Sequence, residues 1–238
     1  MSITSNYDWR SFWTITLAGI SALMAQIIAG LDELRPIAQS DVTSTRLILF
    51  LIVNISGITL VCFFGLLVSS RIDLRVSHSD SFRLSSFLKT FFIVIFLASV
   101  VISLDYVLFT GIILENVKSL GGFASRLSLA YSAGIGEEIF FRLFILSVLI
   151  WAVRWKISSI EQSAWIGIII SALIFAAAHL PKHASELTFL IACRSLLLNG
   201  IGGIVFGWLF WKRGLAAAMV AHFSANAVLY ILLPLVAG

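Results

Sequence analysis

Charge is scarce in this chain. Asp, Glu, Lys and Arg supply 12% of its 238 residues, about half the share usual in soluble domains. So few charges exclude an ordinary water-soluble fold. The net charge of +4 is modest, and its basic residues lie between apolar runs. That distribution signals membrane topology and argues against a nucleic-acid partner. Cysteine is limited to Cys62 and Cys193. Both fall inside apolar runs with no CxxC spacing, so they read as buried thiols and say nothing about redox compartment. There is also no Pro/Gly/Ser-rich linker, charge block, low-complexity tract or internal repeat. Residues 1–238 therefore read as a single integral membrane domain.

What the chain has instead is apolar length. It is 60% hydrophobic, with a mean hydropathy of +1.04. Runs of roughly the 20 residues a bilayer requires occur near Phe12–Leu31, Leu47–Ser69, Thr90–Leu114, Leu127–Val153, Ile160–Leu180, Leu187–Trp211 and Leu215–Pro234. The expected architecture is all-α: a polytopic transmembrane helix bundle of about seven helices, within a range of six to eight. The first run is too long for a signal-peptide core and lacks a convincing small-x-small cleavage site, so it is expected to stay. Pro181 stops the fifth run. The amino-terminal tail and the loops on its side carry nine basic residues, Arg10, Arg71, Arg75, Arg83, Lys89, Arg154, Lys156, Lys212 and Arg213. The opposite loops carry five, Arg35, Arg46, Lys118, Arg126 and Lys182. This asymmetry puts the amino terminus in the cytoplasm. Tryptophans near span ends, such as Trp13, Trp151 and Trp211, fit interfacial anchoring.

One stretch stands against this background: Ala133-Gly134-Ile135-Gly136-Glu137-Glu138-Ile139-Phe140-Phe141-Arg142. A charge at the bilayer centre costs at least about 2.5–3.5 kcal/mol on insertion scales, and here three fall within six residues. Glu138 and Arg142 are spaced i,i+4 and can neutralise each other on one helix face. Glu137 lies about 100° away round the helix and has no partner in this segment. An unpaired intramembrane carboxylate is a functional-site hypothesis by default.

Two later segments offer groups that can meet it. The fifth run ends Phe175-Ala176-Ala177-Ala178-His179. His179 reads in three ways: a ring capping a helix at the membrane surface, a general base, or a metal ligand. His183, beyond Pro181, reads as a loop residue. In the seventh run His222 and Asn226 share one helix face, about 6 Å apart along the axis. They read as interhelical glue, or as two donors that together stabilise an oxyanion. Asp105 and Arg194, in the third and sixth runs, can pair with each other, snorkel, or line a water path, and Asn199 reads as a packing residue.

The ordered set Glu-Glu-x-x-x-Arg, Phe-x-x-x-His and His-x-x-x-Asn, each on its own span, resembles the CPBP family. These are the CaaX-protease and bacteriocin-processing (Abi-type) membrane proteins, which include type II CaaX prenyl proteases. The matching positions are Glu137, Glu138, Arg142, Phe175, His179, His222 and Asn226, within about residues 125–230. The resemblance implies an intramembrane endopeptidase. In it Glu137 and His179 activate a water, His222 and Asn226 hold the oxyanion, and Glu138 and Arg142 support the helix. The family has been described both as metalloproteases and as metal-free glutamate proteases; the residues here do not form a compact motif such as HExxH, so no cofactor is expected to be required. The alternative is Zn²⁺ held by Glu137, His179 and His222, a His₂Glu set known for zinc. The partners are then the lipid bilayer and a membrane-associated peptide or protein substrate. The short chain and short loops point to a bacterial cell membrane.

Depth supplies a check. Glu137, His222 and Asn226 fall at mid-membrane, roughly 10–15 Å into their spans, whereas His179 sits at the end of its own. Either that span is tilted or shifted, or the site opens to the face where it ends, which the charge count makes the outer one. Two other classes compete with a protease: a non-catalytic scaffold or immunity protein that keeps the motif for packing, and a small transporter using Glu137 and Asp105 as proton sites. The missing internal repeat weighs against the transporter.

Overall fold

The computed structural model describes residues 8–34, 41–72, 74, 76, 84–109, 117, 120–181 and 187–237. Among them there is no strand, and the helices follow the apolar runs: α1 (Trp9–Leu34), α2 (Asp41–Arg71), α3 (Leu84–Phe109), α4 (Phe123–Glu138, Ile139–Leu146 and Ser147–Val153 in unbroken succession), α5 (Ile160–Ala178), α6 (Phe189–Arg213) and α7 (Leu215–Ala227, Val228–Leu232 and Leu233–Ala237). Six runs are long and apolar enough as they stand to cross a membrane. The seventh is α4, whose 16-, 8- and 7-residue parts are separated by its π-helical middle, Ile139–Leu146. The chain is an integral, multi-pass membrane protein. His183, Arg35, Arg75, Arg83, Lys118, Lys182 and residues 110–114 of the third run lie outside the described residues.

Local signals set the helix ends. Asp8 Oδ1 accepts the Ser11 N–H at 3.0 Å and starts α1; hydrogen bonds from the Ser11 side chain and then from its backbone lower the Asp8 carboxyl from its ordinary range. Ser159 and Thr188 cap α5 and α6 in the same way, accepting from the backbone of Gln162 and Ile191. α6 and α7 are separated by one residue, Gly214, at φ 85°. That left-handed conformation suits glycine and turns the chain back into the membrane.

The bundle is apolar outside and mixed within. On α5, Ile169, Leu173 and Ile174 face outward, while Ser163, Gly167, Ser171, Ala172, Phe175 and Ala176 are buried. Small inner residues let helices approach without hydrophobic help from lipid. The Ser171 hydroxyl, for instance, reaches the Phe141 carbonyl at 3.2 Å. α4 is the hub, packing against α1, α2, α5, α6 and α7, and α3 closes the bundle against α6 and α7.

One crossing bears directly on function. A Cβ on Gly134 would lie 2.7 Å from both Cα and N of Phe223, so α4 and α7 meet backbone to backbone. Glu137 and His222 sit one turn or less from that point. Gly134→Ala is expected to push the two helices apart, lower thermal stability by about 1–3 kcal/mol, and remove most activity. Thermal unfolding and a cleavage assay on the purified variant test this, and wild-type values in both would refute the role given to the crossing.

Candidate active site

Glu137, His179, His222 and Asn226 line one cavity of about 370 Å³ between α3, α4, α5, α6 and α7. α4 delivers Glu137 and Glu138 at the last two positions before its π-helical stretch, and Arg142 within it. The wider π turn changes the angular step between residues and is a feature frequent at functional sites.

His179 lies beside Glu137 because α5 is recessed. Ser195, six residues into α6, hydrogen-bonds the Ala176 carbonyl at 3.3 Å, so α6 overhangs the end of α5 by about 9 Å at 1.5 Å per residue. Glu137 is fourteen residues into α4, an overhang of about 21 Å. The fifth span therefore ends inside the bundle, and the depth conflict in the sequence disappears. A third of the His179 side chain is exposed.

Three polar atoms converge. His179 Nε2 is 3.6 Å and His222 Nε2 3.9 Å from the same oxygen, Glu137 Oε2. Both separations exceed hydrogen-bond length, so the groups face a common point and do not bond one another. The other ring nitrogens are anchored. His179 Nδ1 meets the Phe175 carbonyl at 2.8 Å. A carbonyl only accepts, so Nδ1 carries a proton, and with the ring neutral its Nε2 lone pair faces Glu137. His222 Nδ1 meets Glu138 Oε1 at 2.9 Å, and its ring stacks on Phe206 at 4.6 Å.

Glu138 and Arg142 are fully buried and 3.3 Å apart. That contact is an ion pair without hydrogen-bond alignment, since no guanidinium nitrogen of Arg142 makes a hydrogen bond. Ring faces take that place: the guanidinium carbon lies 4.7, 5.8 and 6.0 Å from the centroids of Phe175, Phe206 and Phe141, at cation–π range. Glu138 thus links Arg142 to His222. Asp105 and Arg194 pair at 2.5 Å between α3 and α6. Asn199 bonds Ser195 within its own helix, at 3.1 Å to the carbonyl and 3.2 Å to the hydroxyl, and also lines the cavity.

A family model for type II CAAX prenyl endopeptidase Rce1-like proteins matches residues 85–228, more than half of the chain. The chain belongs to this family. Rce1-like proteins are a protease family, so membership makes the chain a CAAX-protease-like intramembrane endopeptidase at family level. The match takes in α3, which carries no motif residue but walls the Rce1-like cavity through Leu97, Ala98 and Val101. No curated protein and no solved structure matches the chain.

Sequence reasoning did not single out Tyr230 or Phe206, which both line the cavity. Tyr230 follows Asn226 by four, as Asn226 follows His222, so a signal was there to read. Phe206, under the His222 ring, had none, being one apolar residue in an apolar span. As to metal, the anchored Nδ1 atoms leave Nε2 of both rings and Glu137 Oε2 as a donor set of the type zinc accepts. Among the described residues, however, no three His, Cys, Asp or Glu side chains close into a metal-binding group.

Proposed function

We propose that the chain is an intramembrane endopeptidase in which Glu137 is the general base. The observation that carries the reading is the approach of two imidazole Nε2 atoms, at 3.6 and 3.9 Å, to one oxygen of Glu137 inside a membrane cavity. A water seated there gives one hydrogen to Glu137 and the other to the Nε2 lone pair of His179. Glu137 takes the first proton as the water oxygen attacks the peptide carbonyl carbon. The resulting oxyanion accepts hydrogen bonds from Asn226 and His222. Glu137 then passes its proton to the amide nitrogen as the C–N bond breaks, which leaves an acid and an amine.

The donor role sets a condition on His222. Its Nδ1 is engaged by Glu138, so Nε2 donates only when the ring is an imidazolium. In that form the charges on Arg142, Glu138, His222 and Glu137 sum to zero. The substrate is a membrane-associated peptide or protein segment entering between helices, and the short loops favour a bacterial cell membrane.

No metal is required in this scheme. Were zinc bound, Glu137, His179 and His222 would hold it, and it would supply Lewis-acid polarisation of the carbonyl. Purified protein treated with a strong chelator is expected to keep its activity and to contain less than one equivalent of metal by elemental analysis. Loss of activity that zinc restores would establish the metallo-endopeptidase instead. Proteolysis itself is tested by mapping new amino and carboxyl termini in membranes with and without the protein. Identical termini would sink the protease reading and favour the scaffold.

A further inference from the structure

Among the described residues, two arginine–carboxylate pairs lie within the membrane spans, and they are built differently. Glu138 and Arg142 are each fully buried, and both are absorbed by the site described above. In the other pair, Asp105 is 1% exposed and Arg194 15%. The difference lies on the arginine, and Arg194 lines the catalytic cavity. Its contact to Asp105 runs through Nε, the inner nitrogen of the guanidinium. The two terminal Nη atoms, the prongs that bind carboxylates two-fold, make no hydrogen bond among the described residues. A pair that existed only for neutrality would be closed, as the Glu138 pair is. Here the carboxylate fixes the guanidinium from behind and its outer edge is left to the cavity.

Position sharpens this. Arg194 precedes Ser195, whose hydroxyl bonds the Ala176 carbonyl, so it lies within about one turn of the depth of His179. Apolar residues Leu97, Val101, Ile191 and Leu198 share the wall. A peptide in this cavity would meet the Arg194 cation in surroundings where a charge-assisted contact is strong.

We propose that Arg194, braced by Asp105, is a specificity residue that binds a carboxylate of the substrate and so fixes which peptide bond reaches Glu137. The carboxylate is either the carboxyl terminus of the chain being cut or an acidic side chain near the bond. The proposal rests on the protease reading, and the test separates the two. Wild type, Glu137→Gln, Arg194→Lys, Arg194→Gln and the double variant Asp105→Asn/Arg194→Gln are expressed at equal levels, and new termini are mapped across the membrane proteome. Termini that depend on wild type are expected to lie at a constant short distance from a carboxyl terminus or from an acidic residue. Their yield should fall roughly 10- to 100-fold in Arg194→Gln, the loss of one charged hydrogen-bonding contact. Arg194→Lys should retain part of it.

The double variant leaves no stranded Asp105 charge, so it guards against simple misfolding. It should unfold at the wild-type temperature and still lose cleavage. Peptide copies of a mapped substrate then identify the source. A terminal amide in place of the free acid, or Asn for the acidic residue, should raise KM in wild type and change nothing in Arg194→Gln. Wild-type cleavage by the double variant overturns the proposal while the protease reading stands. Identical termini in wild type and Glu137→Gln overturn both.

Discussion

Glu137→Gln should yield a folded protein that no longer cleaves. The substitution keeps shape and volume but replaces a proton acceptor by an amide, so water activation is lost and the rate falls by about 10²–10⁴. The fold should tolerate it, because Glu137 Oε2 makes no hydrogen bond that the change would break. Its nearest polar neighbours are the Nε2 atoms of His179 and His222, at 3.6 and 3.9 Å. Cleavage of a mapped substrate and thermal unfolding, measured on the same preparation, separate the two effects. Full activity in the variant would remove Glu137 from the chemistry and with it the mechanism proposed here. An unfolded variant would instead give Glu137 a structural role. His179→Ala is a useful companion, since it removes the ring that orients the water but leaves the base. Its loss should be smaller than that of Glu137→Gln.

Much of this could be read from residue types because a membrane makes polar groups conspicuous. Each apolar run became a helix, since lipid leaves the backbone no other way to satisfy its hydrogen bonds. The residues that stood out, Glu137, Glu138, Arg142, His179, His222 and Asn226, lie together because each carries a desolvation cost that only shared contacts offset. The Asp105–Arg194 pair followed from opposite charge in two apolar runs. What stayed hidden depends on helix ends and ring faces. The recess of α5 comes from where helices stop relative to their neighbours, which run lengths do not encode. The π-helical stretch at Ile139–Leu146 has no residue signature, because Ile, Phe and Leu suit an α-helix equally well. Phe206, beside Arg142, has the composition of ordinary core, and the contact of Phe175 with Arg142 does not show in its motif position.

Arg142→Met should be the most destabilising single change in the site. Removing one member of a buried ion pair costs about 3–5 kcal/mol, because the other charge is left uncompensated. Here the stranded group is Glu138, at 0% exposure, whose remaining partner is the His222 ring. Glu138→Gln strands the guanidinium instead. The three phenylalanine rings around it offset part of the cost, so the loss should be smaller. The double variant Glu138→Gln/Arg142→Met carries neither charge, and replacing a whole buried pair is often near neutral. Its stability should therefore recover, giving a large coupling energy in the double-mutant cycle. Activity should not recover with it. The amide oxygen that Glu138→Gln introduces can still accept from His222 Nδ1 and hold the ring, but it no longer balances an imidazolium. Losses of roughly 10- to 100-fold are typical when such a supporting partner is changed. A double variant that regained both stability and full activity would show that Glu138 serves packing alone, and that His222 acts without its charge.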